Sequence, residues 1–157
     1  MNLYFDTSAL LKRFVEENGS DVVGKLFSAS NQIYISLITQ VEAISALRRL
    51  LNDKEISLHD FRHILNEIET DLTFYHTVDM TNEVMDLAKE CIIQHQLKSL
   101  DSIQLASAIA VKKEIDLFVA CDEKLLRAAK KEKFKVINPN MTKPEQKFVF
   151  PTKMEIQ

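Results

Sequence analysis

The chain has 157 residues, of which 46% are hydrophobic and 27% charged, and a formal net charge of −3 at pH 7. That length suits one domain around a single core, and the composition excludes a disordered chain. No apolar run approaches the length of a membrane span, and Met1-Asn2-Leu3-Tyr4-Phe5-Asp6 lacks the basic segment of a signal peptide, so a cytoplasmic protein with no membrane partner is expected.

Residues 2–6 read as a short buried strand, and 7–16 as a helix with Ala9, Leu10, Phe14 and Val15 inward, stopped by Asn18-Gly19-Ser20. Residues 21–29 are helical again, and Ile33-Tyr34-Ile35 is a β-branched and aromatic strand. A helix over 40–52 places Val41, Ile44, Leu47, Leu50 and Leu51 at helical spacing, and a second amphipathic stretch covers 58–70. Phe74 to Val78 is a third strand. Helix 81–95 turns Val84, Met85, Leu87, Ala88 and Ile92 inward, and an Ala- and Ile-rich helix spans 100–113. Asp116 to Ala120 is a strand, 123–131 a helix, and Phe134 to Ile137 a last short strand. Alternating strands and helices, with strands that are nearly continuous apolar runs, predict an α/β fold with a mainly parallel sheet covered on both faces. All three prolines lie beyond residue 138, so residues 1–137 form the domain and 138–157, with Phe148-Val149-Phe150, an appended tail. Cys91 and Cys121 fall in different elements and are expected as reduced, buried thiols.

Four acids sit where an apolar run hands over to a helix: Asp6, Glu42, Asp101 and Asp122. Each has a structural role open to it. Asp6 and Asp122 can cap helices, Thr39-Gln40-Val41-Glu42 has the form of a capping box, and Asp101 suits the first turn of a helix begun at Ser99. As a set they point elsewhere. Asp6 and Asp122 end two strands of one parallel sheet, so both lie on the rim where ligands bind such sheets, and Asp101 and Glu42 begin helices that can start beside it. Four carboxylates brought together repel and raise one another's pKa unless a cation neutralises them. Mg²⁺ or Mn²⁺ prefers such oxygen ligands, and needs only some of them directly because it keeps several waters. The chemistry this favours is metal-assisted phosphodiester hydrolysis, with no Ser–His or Cys–His nucleophile required.

The stretches Leu3-Tyr4-Phe5-Asp6-Thr7-Ser8-Ala9-Leu10, Thr39-Gln40-Val41-Glu42 with Ala46-Leu47-Arg48-Arg49, Leu100-Asp101-Ser102-Ile103-Gln104-Leu105-Ala106, and Val119-Ala120-Cys121-Asp122-Glu123-Lys124-Leu125 resemble the successive motifs of PIN-domain ribonucleases. The resemblance is closest to the VapC-type toxins of toxin–antitoxin pairs and spans residues 2 to about 137 in the right order. It implies a three-layer α/β/α sandwich, a Mg²⁺- or Mn²⁺-dependent RNA endonuclease, frequent homodimers, and a cognate antitoxin that binds near the pocket. By position it puts the metal-binding acids on Asp6 and Asp101, with Glu42 and Asp122 completing the quartet. Its hydroxyl position falls on Thr7 and Ser8, with Ser8 expected to hydrogen-bond within the site.

A dehalogenase-like phosphatase also puts an Asp after its first strand, but needs a second Asp two positions later, where this chain has Ser8. A non-catalytic PIN-fold binding module is the other alternative, and the intact quartet argues against it. His59 and His63 are spaced i, i+4 but lack the glutamate of a zinc-protease motif and read as a solvated face. RNA phosphates call for Lys and Arg, and Lys12, Arg13, Arg48 and Arg49 are placed either for that or for structural ion pairs.

Overall fold

The computed structural model describes residues 1–141. Phe148-Val149-Phe150 and most of the tail expected from 138 onward lie outside the described residues. Strands β1 (Asn2–Phe5), β2 (Gln32–Ser36), β3 (His76–Val78), β4 (Leu117–Val119) and β5 (Val136–Ile137) form one sheet in the order β3-β2-β1-β4-β5, with every neighbouring pair parallel.

Strand side chains alternate between two buried faces, which is why the strands are apolar without interruption. Leu3, Phe5, Ile33, Ile35, Leu117, Val119 and Ile137 point to one side, where α1 (Thr7–Leu11) and α2 (Ser20–Ala29) supply Ala9, Leu10, Val23 and Leu26. Tyr4 and Phe118, with Tyr34 and Val136 at their edges, point to the other. There α6 (Ser99–Ala110) and α7 (Glu123–Lys131) cover them, with α5 (Asn82–His95) packed along α6. This is the three-layer α/β/α sandwich expected. Helices α3 (Ile38–Asn52) and α4 (Leu58–Leu72) pair around Leu47, Ile64 and Ile68 and pick up Leu11 of α1.

The strand order sets the site. The chain builds outward from β1 through β2 to β3, then returns to lay β4 on the other side of β1. The order therefore reverses between β1 and β4, the place at which sheets of this kind bind ligands in a crevice at the carboxyl ends of the strands. Asp6 lies at that point, its amide donating to the Val119 carbonyl at 2.9 Å.

Several local expectations are corrected. The first helix ends at Leu11 rather than 16, because the chain tightens into i→i−3 turns through Arg13 and Phe14. That brings Phe14 and Val15 against the α3–α4 cluster. The capping box at Thr39–Glu42 does not form. α3 starts earlier, at Ile38, without a side-chain cap, so Thr39 and Glu42 are helix-interior residues. The inner stripe of α3 is accordingly Thr39, Ala43 and Leu47, while Val41, expected inside, is 67% exposed. In α5, Cys91 is buried and Ile92 is not. Phe74 and Tyr75 precede β3 instead of opening it, and α6 stops at Ala110 before a 3₁₀ turn over Lys112–Glu114. Cys121 is partly rather than fully buried, and both thiols are free. Gly19, at φ +91°, is the N-cap of α2, where a Cβ would stand 3.0–3.1 Å from Asn140 and Pro139, so any other residue is strained there.

Candidate active site

Asp6 occupies the N-cap position of α1, yet its side chain makes no capping bond. It is 7% exposed, and its Oδ2 accepts a hydrogen bond from the Ser8 hydroxyl at 2.8 Å. Burial pushes its carboxyl up to about 6; the Ser8 bond acts against the shift, and the charges of Glu42 and Asp101 add to it. Asp101 stands in the first turn of α6, and its carboxyl is also raised, first by burial and then by Asp122 and Glu42, with Lys98 and Lys124 opposing. Asp122 caps α7, its Oδ1 accepting from the Leu125 amide at 2.8 Å. The fold thus brings Asp6, Glu42 and Asp101 within electrostatic range, from the end of β1, α3 and α6, and sets Asp122 of the β4–α7 junction within range of Asp101.

Among the described residues no three Asp, Glu, His or Cys side chains are gathered tightly enough to hold an ion by themselves. Asp6 is turned to Ser8, Glu42 to its own hydrogen-bond donors, and Asp122 to the α7 amide. A hard cation that keeps several waters requires only one or two carboxylates as direct ligands. The donor set of carboxylate and hydroxyl oxygens, mutually repelling and partly buried, is of the kind that suits Mg²⁺ or Mn²⁺.

Glu42 is held by a network that the sequence did not announce. Gln104, 1% exposed on the inner face of α6, places its amide nitrogen 2.9 Å from Glu42 Oε1, 3.0 Å from Thr39 Oγ1 and 3.1 Å from Thr7 Oγ1. Two amide hydrogens serve these three acceptors. Thr7 and Thr39 lie 2.9 Å apart, and Thr7 Oγ1 also donates to Glu42 at 3.2 Å. The amide must face this way, because a carboxylate can only accept. Its oxygen faces the other way and receives the Tyr4 hydroxyl at 2.7 Å. Burial, then the charge of Asp6, keeps the Tyr4 phenol protonated well above its ordinary range, so it remains a donor. Tyr4→Phe strands that buried oxygen and is expected to lower stability by about 1–3 kcal/mol in urea denaturation, with the fold retained. One signal was available for Gln104: it stands three residues after Asp101, as a polar residue in an otherwise small and apolar helix. Thr7, not only Ser8, is a working hydroxyl, since Ser8 serves Asp6 and Thr7 serves Glu42.

The cations considered from sequence divide. Lys12 is buried and bonds Glu17 at 3.0 Å and the Asn18 carbonyl at 2.7 Å. Arg13 pairs with Asp71 at 3.0 Å and lies over the Phe27 ring. Both are structural. Arg48 and Arg49 are exposed on α3. His59 is exposed, and the exposed His63 pairs with Glu67 at 2.8 Å.

The family model for the PIN domain matches residues 3–131, most of the chain. The chain belongs to the PIN domain family. The matched span contains Asp6, Ser8, Glu42, Asp101 and Asp122. Among curated relatives, ribonucleases VapC45 and VapC49 of Mycobacterium tuberculosis are each 26% identical over 109 residues, which is 69% of this chain and 76% of theirs. Solved structures share the fold. A toxin–antitoxin complex from Klebsiella pneumoniae superposes with a TM-score of 0.64 at 18% identity, covering 87% of this chain and 97% of that one. Mycobacterium tuberculosis VapC20, a toxin that cleaves the sarcin–ricin loop, does so with a TM-score of 0.62 at 17% identity, covering 80% and 94%. No helix among the described residues of this PIN domain is long and apolar enough to cross a membrane.

Proposed function

We propose that this PIN-domain protein is a metal-dependent endoribonuclease, the toxin of a toxin–antitoxin pair, that hydrolyses RNA phosphodiester bonds at the crevice between β1 and β4. The observation that carries this is that acids from four distant segments act on one another's charge, Asp6 being raised by burial and then by Glu42 and Asp101, and Asp101 by burial and then by Asp122 and Glu42. A structural cluster has no use for mutually repelling carboxylates. The kinship with VapC ribonucleases supports the substrate and the toxin role, and solved toxin–antitoxin complexes of the same fold support an antitoxin partner.

Asp6 and Asp101 are assigned as the residues that hold the cation, with Glu42 and Asp122 completing the acidic set. A bound Mg²⁺ or Mn²⁺ supplies a polarised phosphoryl oxygen and a water acidic enough to ionise near neutral pH. The protein's own residues prepare that site. Ser8 orients the Asp6 carboxylate through Oδ2, and Gln104 with Thr7 fixes Glu42 through Oε1. Assembly as a homodimer, residence in the cytoplasm, and a nuclease domain over 1–137 followed by a separate tail over 138–157 belong to the same proposal.

The test incubates the purified protein with a panel of structured RNAs in Mg²⁺ or Mn²⁺. Cleavage is expected to disappear with chelator and with Asp101→Asn, while circular dichroism shows the variant folded. Cleavage that survives both changes rules out a metallonuclease. Absence of cleavage on every RNA, together with no metal binding by calorimetry, leaves a PIN-fold binding module.

A further inference from the structure

The net charge of −3 conceals a basic face beside the acidic crevice. α7 begins immediately after Asp122, and Lys124, Arg127 and Lys131 fall at i, i+3 and i+7 along it, on one side of the helix. Together with Gln94, His95 and Gln96 at the end of α5, they line a cavity of about 260 Å³. The stripe starts at the site, where Lys124 acts on the charge of Asp101. It spans about 10 Å at 1.5 Å per residue.

Two features separate these cations from the other basic residues. Lys12 and Arg13 are consumed by Glu17 and Asp71. Arg127 and Lys131 are exposed and make no side-chain hydrogen bond or ion pair among the described residues. Lys124 donates to a carbonyl, that of Gln96, at 2.7 Å, and so keeps its charge unpaired. The nearby acid Glu132 is directed at His95 Nε2, 2.8 Å away, rather than at the stripe. The His95 side chain is 8% exposed, and its buried Nδ1 has no partner among the described residues. The three cations that line the cavity are therefore paired with no carboxylate among the described residues, which is the chemistry that takes a phosphate.

We propose that Lys124, Arg127 and Lys131 form a phosphate track along α7 that holds the RNA backbone as it enters the crevice. This rests on the endoribonuclease reading and names the surface that engages its substrate. At one phosphate per ~3.4 Å of helical rise along a strand, a stripe of about 10 Å faces more than one phosphate.

The experiment compares Arg127→Ala/Lys131→Ala with the parent protein, both in an Asp101→Asn background to prevent turnover. Fluorescence anisotropy with a labelled single-stranded RNA of mixed sequence, in Mg²⁺ and across a salt series, gives the affinity and its salt slope. Both replaced residues are exposed, so the fold is expected to survive, which circular dichroism checks. The double variant is expected to bind about tenfold or more weakly. Its log–log salt slope is expected to be shallower by about 1.4, because each phosphate left without its cation removes about 0.7. Arg48→Ala/Arg49→Ala serves as a charge-matched comparison and is expected to change the slope less. Unchanged affinity and slope in the α7 variant, with the parent binding RNA, overturn the track alone and leave the cavity to an acidic protein segment. A parent protein that binds no RNA overturns the endoribonuclease reading, and the track with it.

Discussion

Asp6→Asn is expected to make the metal-free protein more stable and the enzyme nearly inactive. The carboxyl of Asp6 is buried, and its pKa lies at about 6 against an ordinary value of 3.8. Between those two pH values the native state holds a proton that the unfolded chain has released, so stability falls as pH rises through that window and stays low above it. At about 1.4 kcal/mol per pH unit, the window amounts to about 3 kcal/mol. An asparagine has no charge to bury and still accepts from Ser8 through its carbonyl oxygen. In chelator, Asp6→Asn is therefore expected to gain up to about 3 kcal/mol over the parent at pH 7.5, and the gain is expected to shrink to about 0.5 kcal/mol at pH 4. Urea titrations at both pH values measure this. Adding Mg²⁺ is expected to stabilise the parent and not the variant, because only the parent gains a ligand for the ion. Activity is expected to drop on the order of 100-fold or more, since changes that merely orient a ligand already cost 10–100-fold. A loss of stability at both pH values would instead mark Asp6 as a structural residue of the β1–α1 junction and remove it from the metal site.

How far the sequence disclosed this arrangement depended on whether local pattern or long-range contact decides each residue. β1 and β4 were legible because strands buried on both faces need uninterrupted apolar runs, and Leu3-Tyr4-Phe5 and Leu117-Phe118-Val119 are such runs. Asp122 was legible as a cap because capping is local, and the bond to Leu125 exists. Thr39 and Val41 were misassigned for the opposite reason. On local rules Val41 belongs inside and Thr39 at a helix start. In the fold Thr39 turns inward because Thr7 and Gln104, 32 and 65 residues away, satisfy its hydroxyl, and Val41 is left facing out. Helix 7–16 failed similarly: it stops early in i→i−3 turns that set Phe14 and Val15 on α3 and α4, long-range contacts that no neighbour in sequence signals. The acids stood out in the sequence because they flank predicted elements. The groups that hold them were not, because Gln104 and Tyr4 meet only across 100 residues.

Gln104→Leu tests whether that buried network is needed for the site. Leucine fills similar space but leaves the Tyr4 hydroxyl, Thr39 and Glu42 Oε1 each without the partner Gln104 supplies. Unpaired buried polar groups cost about 1–3 kcal/mol each, more when charged, although Thr7 still donates to Glu42 and still pairs with Thr39. The expected loss is about 2–5 kcal/mol, read from urea denaturation, larger than for Tyr4→Phe because more partners are stranded. Stability alone does not separate a core defect from a site defect, so the second readout is metal affinity. Glu42 freed from Gln104 is no longer held at one oxygen, and Mn²⁺ binding by calorimetry is expected to weaken about 10–100-fold, as for other losses of an orienting partner. Adding Tyr4→Phe to Gln104→Leu removes a stranded hydroxyl and is expected to recover part of the stability, because replacing both partners of a hydrogen bond by apolar groups costs less than replacing one. It is not expected to recover metal affinity, since Glu42 stays unheld. Recovery of both together would mean that the network acts on the core and only incidentally on the carboxylate.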